Sequence, residues 1–314
     1  MPKKSLCGEY GRCLVEMGEK YPELVALEAD LKESTQSIQF QQAFPQRHIE
    51  VGVAEQNMVG IAAGLALGGK LPVTHSFACF TSMRACEHIR TTVAYPRLNV
   101  KFVATHAGIS AGSAGTTHHA IEDIAIMRSI PNMTVLAPGD AREIRQSIEA
   151  ALNHQGPVYI RLATGDVEDV YGDSENFSIG RATELRKGSD VTIITTGTMM
   201  HAGVMAADKL KKDYGIEARV LQMASIKPID RQAIIKAALD TGYIITIEEH
   251  NVLGGLGGAV SEIVAETGKA KVRRIGIKDR FSGTGSAAWI RQEEGLTIDE
   301  IINQTRAFLG KDEK

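Results

Sequence analysis

HIEVGVAEQNMVGIAAGLALGG, His48 to Gly69, runs a short apolar strand into a helix dense in Ala and Gly, with one glutamate, Glu55, at the join. A strand feeding directly into a helix is the unit from which parallel sheets are assembled. From Met58 the residues Met58, Ile61, Ala62, Leu65 and Ala66 recur at the spacing of one buried helical face. The spacing predicts a helix near Asn57 to Leu67 with Glu55 in its first turn. The small side chains allow other backbones to approach closely. An acid in that turn favours the helix dipole by about 0.3–1 kcal/mol. At this junction it is also placed for chemistry.

Working outward, short apolar strands alternate with amphipathic helices, the pattern of a mostly parallel sheet covered on both faces. Strands are predicted near Leu24–Leu27, Ile49–Val53, Pro72–His75, Val100–Thr105, Thr134–Leu136 and Val158–Leu162. Helices fall near Leu6–Lys20, Asn57–Leu67, Thr81–Ala94, Ile121–Arg128 and Ala141–Asn153, the last opening on PGDARE with Asp140 as its cap. Periodicity lapses between about Gly165 and Gly188, and alternation then resumes. Strands are predicted at Val191–Thr196, Glu217–Gln222, Tyr243–Glu248 and Val272–Ile277, with helices at Met200–Tyr214, Arg231–Thr241, Leu256–Thr267 and Ile298–Leu309. The fold class is α/β in two domains, residues 1–170 and 189–314, joined by a linker at 171–188.

The chain has 314 residues, 43% hydrophobic and 23% charged, which describes an ordinary globular protein of about two domains. A net charge of −3 and the absence of any long Lys/Arg run argue against nucleic acid or a membrane surface as partner. No apolar stretch has the length of a membrane span, and MPKKSLCGEY lacks the apolar core of a signal peptide, so the expected location is cytoplasmic. Cys7, Cys13, Cys79 and Cys86 show no metal-ligand spacing and read as reduced, mostly buried thiols. The GGLGG of Gly254–Gly258 follows a strand and opens a helix but lacks the GxGxxG spacing of a dinucleotide site. Close packing at a strand-to-helix turn explains it better.

Several segments occur together: ADL at Ala29–Leu31, GVAEQNMVGIAAGLA, the FxxF of Phe77 and Phe80, THAGISAG followed by TTHHAIEDIAIMRSIPNM, IKPID at Ile226–Asp230, and EEHNVLGGLGGAV. The set resembles the C-terminal half of transketolase, a family of thiamine diphosphate enzymes, over about Leu24 to Leu309. The resemblance implies a pyrimidine-binding domain followed by a transketolase C-terminal domain. A complete enzyme of this kind also carries a GDG motif with a downstream Asn that hold magnesium and the diphosphate. This chain contains no GDG. The resemblance therefore implies a split transketolase, with magnesium ligands on a second, N-terminal-type subunit and an assembly of two copies of each chain. No metal is assigned to this chain.

By the same resemblance, Glu55 hydrogen-bonds the ring nitrogen of the aminopyrimidine and promotes proton removal from the thiazolium carbon. That role needs a carboxyl group able to hold a proton, so burial must oppose the helix dipole. Phe80 stacks on the pyrimidine with Phe77 beside it, while Met83 stands where a further aromatic is common. Asp30 falls near the cofactor. His106 and His118 reach substrate hydroxyls and shuttle protons, work suited to an imidazole titrating near neutrality; His119 reads as a supporting or solvent-facing residue. Arg161 matches a phosphate-binding arginine whose fork suits an oxyanion, and Ser34 a phosphate-contacting serine. A surface ion pair is the competing role for Arg161.

Three positions depart from the family pattern. GEDG becomes GSAG at Gly112–Gly115, so that Ala114 replaces an Asp; Cys7 stands for a phosphate-binding arginine; and Lys32 occupies a position usually small or polar. The expected activity is transfer of a ketol (glycolaldehyde) fragment from a ketose, phosphorylated or related, to an aldose, on an unusual sugar such as a branched sugar phosphate or a sulfosugar. A 2-oxo acid dehydrogenase beta subunit is an alternative that predicts decarboxylation; IKPID and EEHNVLGGLGG favour transketolase. A non-catalytic family member is the other, and the presence of Glu55, Phe80, His106 and His118 argues against it.

Overall fold

The computed structural model describes residues 3–170 and 177–311. Its larger sheet has seven strands, in the spatial order Ser225–Lys227, Thr134–Leu136, Val158–Arg161, Lys101–Thr105, Leu71–Phe77, Leu24–Glu28 and His48–Glu50. All pairs are parallel except that between Ser225–Lys227 and Thr134–Leu136. The smaller sheet has five strands, ordered Lys271–Ile277, Tyr243–Asn251, Val191–Thr195, Ala218–Gln222 and Thr183–Arg186, with only the last antiparallel. Helices cover both sheets, the two-domain α/β architecture expected. A small ribbon pairs Lys4–Ser5 with Asp166–Val167.

Local chemistry explains most element ends. Asp140 accepts the Glu143 amide at 2.8 Å and caps Ala141–Asn153, as its sequence predicts. Asp230 caps Arg231–Thr241 through the Ala233 amide and also receives the amide of Ala182, holding the approach to the edge strand Thr183–Arg186. That strand lies inside the stretch read as linker. It shows no sequence alternation because it is an edge strand whose side chains are half-buried or exposed. The linker residues 171–176 lie outside the described residues.

Two further elements differ from expectation. The helix predicted at Thr81–Ala94 is a π-helical turn at Phe80–Arg84, a short α segment at Cys86–His88 and a second π-helical turn at Ile89–Ala94. The amides of Ala85 and Tyr95 reach back five residues, to the carbonyls of Phe80 and Arg90. Such widened turns are frequent at functional sites. The helix after the opening motif runs Glu55–Leu67, and its buried residues are Glu55, Met58, Val59, Ala62 and Ala63. Ile61, Leu65 and Ala66 are only partly covered, and Gly60 and Gly64 face open space. The buried face is thus rotated from the predicted one.

The segments most distinctive in sequence join the two domains. Ser225–Lys227, within SIKPID, adds the outer strand of the first domain's sheet, while the Lys227 ammonium donates to the carbonyls of Arg128 and Ile130 at 2.9 and 2.6 Å. In EEHN, the Asn251 amide donates to the Ile121 carbonyl and His250 Nε2 accepts from the Ala125 amide. At GGLGG the buried Glu248 carboxylate accepts the amides of Leu256 and Gly257 at 2.6 and 2.8 Å. A Cβ on Gly255 would collide with that carboxylate, so the helix start is filled by protein and the glycines serve packing.

Candidate active site

The candidate residues sit at the carboxyl ends of adjacent parallel strands, where open α/β sheets bind ligands. Asp30 follows Leu24–Glu28, Phe77 ends Leu71–Phe77, His106 follows Lys101–Thr105 and Arg161 ends Val158–Arg161. Glu55 begins its helix at the same edge and is 1% exposed. Its Oε1 accepts the Ser76 hydroxyl at 3.1 Å and its Oε2 accepts Arg84 Nη1 at 2.7 Å. Arg84 lies within four residues of Phe80 on the widened turn, and its guanidinium sits 4.4 Å from the centre of that ring.

Aromatic groups converge beside this carboxylate. Phe77 and Phe80 stack with centroids 6.0 Å apart, the His106 ring lies 4.0 Å from Phe77, and His118 meets Phe80 edge-on at 5.3 Å. Each such pair contributes about 0.5–1.5 kcal/mol beyond burial. His106 adopts a left-handed backbone, φ 57°, which turns the chain sharply at the strand end. Burial, with His118 nearby, pushes its imidazole down to about 4. His106 is therefore neutral near pH 7, with one donor and one acceptor nitrogen, and titrates below the neutral range the sequence suggested. His119 is buried and its Nε2 donates to the Gly112 carbonyl, bracing the glycine loop from within instead of facing solvent.

That loop is tied to the second domain. The Thr116 hydroxyl donates to the Ser282 carbonyl at 2.9 Å, and Gly112 and Gly115, both with positive φ, pass so close to Gly285 and Thr284 that added Cβ atoms would meet them at 3.2 and 2.8 Å. Ala114 is exposed on this loop. Beside it opens a cavity of about 460 Å³ lined by Phe80, Met83, Arg84, Thr116, Glu122 and Phe281 among others.

Glu28 and Arg84 also contact the candidate site residues, and sequence reasoning missed both. Buried Glu28 accepts the amides of Ala29 and Leu31 on Oε1 and the hydroxyls of Thr35 and Ser37 on Oε2, so one carboxylate holds the whole Asp30–Ser34 turn. Burial lifts it to about 7 against those donors. Asp30, at φ 61°, donates its amide to Glu50, and both Asp30 and Ser34 present exposed side chains. A lone acid ending an apolar strand was the only available sign for Glu28, and for Arg84 a lone cation in an otherwise uncharged aromatic segment.

Arg161 is 4% exposed. Its Nε donates to Asp123 at 2.8 Å, and its Nη2 to the carbonyls of Ala120 and Glu249 at 3.2 and 2.8 Å. The Tyr159 hydroxyl completes the cluster on Asp123 at 2.8 Å, and Glu249 continues it to Arg291. Arg161 thus forms a buried ion pair with Asp123 inside the first domain, where the competing role was a surface pair, and reaches the second domain through the Glu249 carbonyl; among the described residues, its Nη1 alone carries no hydrogen bond. Cys7 is buried beside Thr164, and its thiol is pushed up to about 11 by burial. Lys32 is half-buried at the start of a short helix, Lys32–Thr35. Among the described residues no group of three or more His, Cys, Asp or Glu could hold a metal ion, and no helix is long and apolar enough to cross a membrane.

Residues 6–168 match the family model of the transketolase pyrimidine binding domain, and residues 180–301 that of the transketolase C-terminal domain. The chain is 46% identical over 306 residues, 96% of each chain, to a putative transketolase C-terminal section of Methanocaldococcus jannaschii. It is 42% identical to a 6-deoxy-6-sulfo-D-fructose transketolase subunit of Clostridium sp., over 93% of this chain and 91% of the relative. It is 39% identical to one of the apulose-4-phosphate transketolase subunits of Actinobacillus succinogenes, over 90% and 91%. Among solved structures, a split gene transketolase in an inactive beta4 tetramer superposes with a TM-score of 0.89 at 41% identity, covering 99% of this chain and all of that one.

Proposed function

This chain belongs to the transketolase family, and on that premise we propose that it is the pyrimidine-binding and C-terminal subunit of a split, thiamine diphosphate-dependent ketol transferase. The observation that carries the reading is the joint placement of Glu55 and Phe80. One planar group, the Arg84 guanidinium, already hydrogen-bonds Glu55 and lies over the ring, so a planar aminopyrimidine whose ring nitrogen accepts from a protonated Glu55 fits the same two partners. When bound, thiamine diphosphate supplies the nucleophilic carbon that takes up the two-carbon fragment.

The remaining work falls to this chain's own groups. Glu55, desolvated and oriented by Ser76, controls a proton at the pyrimidine nitrogen. Phe80 and Phe77 fix the ring plane and exclude water. Neutral His106, with His118 across the ring pair, hydrogen-bonds substrate hydroxyls. Asp30 borders the cofactor, and Ser34 with Lys32 the substrate's anionic end. Arg161 retains only Nη1 for that oxyanion, which supports a single-pronged contact.

A second kind of subunit completes the site. The missing GDG supports diphosphate and magnesium ligands on an N-terminal-type partner, in a proposed assembly of two copies of each chain. The helix that begins with Glu55 leaves Leu67 75% exposed with Gly60 and Gly64 open, and Val53 just before it is 69% exposed, an apolar surface suited to a partner. A related split chain solved as an inactive beta4 tetramer accords with that need. Ala114, buried Cys7 and the relatives acting on sulfofructose and apulose phosphate favour an uncommon ketose with an anionic tail over the usual sugar phosphate pair. Co-expression with the GDG-bearing partner, followed by a ketol-transfer assay with thiamine diphosphate and magnesium, tests the reading. Activity should require both chains and fall by at least about 10²-fold in Glu55→Gln. A stable complex that transfers nothing from any ketose would sink it.

A further inference from the structure

Arg84 is the residue that engages both halves of the proposed ring site. Glu55 is almost wholly buried, and without a cation it would hold its charge against a single hydroxyl from Ser76, a costly arrangement. Arg84 answers that charge at 2.7 Å while its flat guanidinium lies over Phe80 at 4.4 Å. A planar group stacked on the ring and hydrogen-bonded to Glu55 occupies the place of an aminopyrimidine, with the polarity reversed: the guanidinium donates to the carboxylate, whereas a ring nitrogen accepts from the carboxyl group. Unlike Glu55, Arg84 is not locked in place. Its side chain is 43% exposed and lines the cavity of about 460 Å³, whose wall also carries the Glu122 carboxylate.

We propose that Arg84 is an internal placeholder for the cofactor's pyrimidine. In the unliganded subunit it neutralises Glu55 and covers Phe80, and on binding it swings into the adjoining cavity toward Glu122, while Glu55 takes up one proton from solvent and shares it with the ring nitrogen. The inference rests on the assignment of Glu55 and Phe80 to the aminopyrimidine. Occupancy by Arg84 lowers apparent affinity in proportion to the fraction of molecules whose site is open. It also keeps a buried carboxylate from standing unpaired before assembly. The opposite arrangement, in which Arg84 stays beside Glu55 and buttresses it with the ring bound, predicts the reverse effect of its removal.

The experiment is a titration of the full chain with the free aminopyrimidine alcohol fragment of thiamine, by ligand-observed NMR, for wild type, Arg84→Gln, Arg84→Lys, Phe80→Ala, Glu55→Gln and the double variant Arg84→Gln/Phe80→Ala. If Arg84 fills the place about nine-tenths of the time, Arg84→Gln binds about tenfold tighter. Arg84→Lys falls between, since an ammonium pairs but does not stack flat, and the double variant loses the gain. A merely structural role for Arg84 does not produce tighter binding. Unchanged or weaker binding by Arg84→Gln, with thermal unfolding intact and Phe80→Ala still weakening the probe, overturns the placeholder alone. If neither Phe80→Ala nor Glu55→Gln alters binding, the ring does not sit there, and both this inference and the functional reading fall.

Discussion

Replacing Arg161 by Met separates a clasp between domains from a substrate-facing arginine. The substitution keeps most of the side-chain length but removes the cation from Asp123, which is fully buried and would retain only the Tyr159 hydroxyl. It also strips donors from the carbonyls of Ala120 and Glu249. Removing one partner of a buried ion pair costs about 3–5 kcal/mol, because the remaining charge stands uncompensated. With a urea dependence of about 3 kcal/mol per M for a chain of this size, the unfolding midpoint falls by about 1–2 M. The assay is equilibrium urea unfolding followed by far-UV circular dichroism, run beside the double variant Arg161→Met/Asp123→Leu. That pair removes both charges and should recover part of the loss. If Arg161→Met unfolds with the wild type and only raises KM for a ketose with an anionic tail, Arg161 faces substrate and the reasoning from burial is wrong.

Two other predictions bear on the site. Glu28, raised to about 7 by burial, favours the protonated fold, so its contribution is complete below about pH 4.5 and is lost as pH rises through 7. The difference is at most about 3 kcal/mol at 1.36 kcal/mol per pK unit; Glu28→Gln should flatten this slope between pH 5 and 8 in urea midpoints, and an unchanged slope would count against it. Ala114 is exposed on its loop, so Ala114→Asp fits without repacking and restores a hydroxyl acceptor. In the two-subunit enzyme it should raise kcat/KM for an ordinary phosphorylated ketose by about ten- to a hundredfold; identical specificity in variant and wild type would remove Ala114 from substrate selection.

The fold was legible where sequence repeats itself locally. The helices Leu6–Lys20, Ala141–Asn153, Arg231–Thr241 and Leu256–Thr267 carry their own periodicity, caps or glycine stops and lie where expected. Ser225–Lys227 and Thr183–Arg186 were not legible, because both are short edge strands without the continuous apolar run that marks Thr134–Leu136 or Val158–Arg161, and their pairing is decided by distant partners. The rotated face of Glu55–Leu67 was hidden by composition, since Ala and Gly surround the whole helix and no stripe stands out. At the site, the family motifs located Glu55, Phe77, Phe80, His106 and His118, and the structure brings them into one cluster. Geometry alone reveals that Arg161 is clasped and that Arg84 lies over Phe80, because both depend on contacts between segments far apart or on the widened turn.

The strand Ser225–Lys227 makes the two domains topologically inseparable. A fragment cut at the linker would leave Thr134–Leu136 as an uncovered sheet edge beside a Lys227 pocket with no lysine, and such edges recruit other chains. The first domain is therefore a poor candidate for modular shuffling by itself, however cleanly its sequence boundary reads. Any gene rearrangement that keeps its sheet closed must carry the second domain with it, at least as far as Asp230.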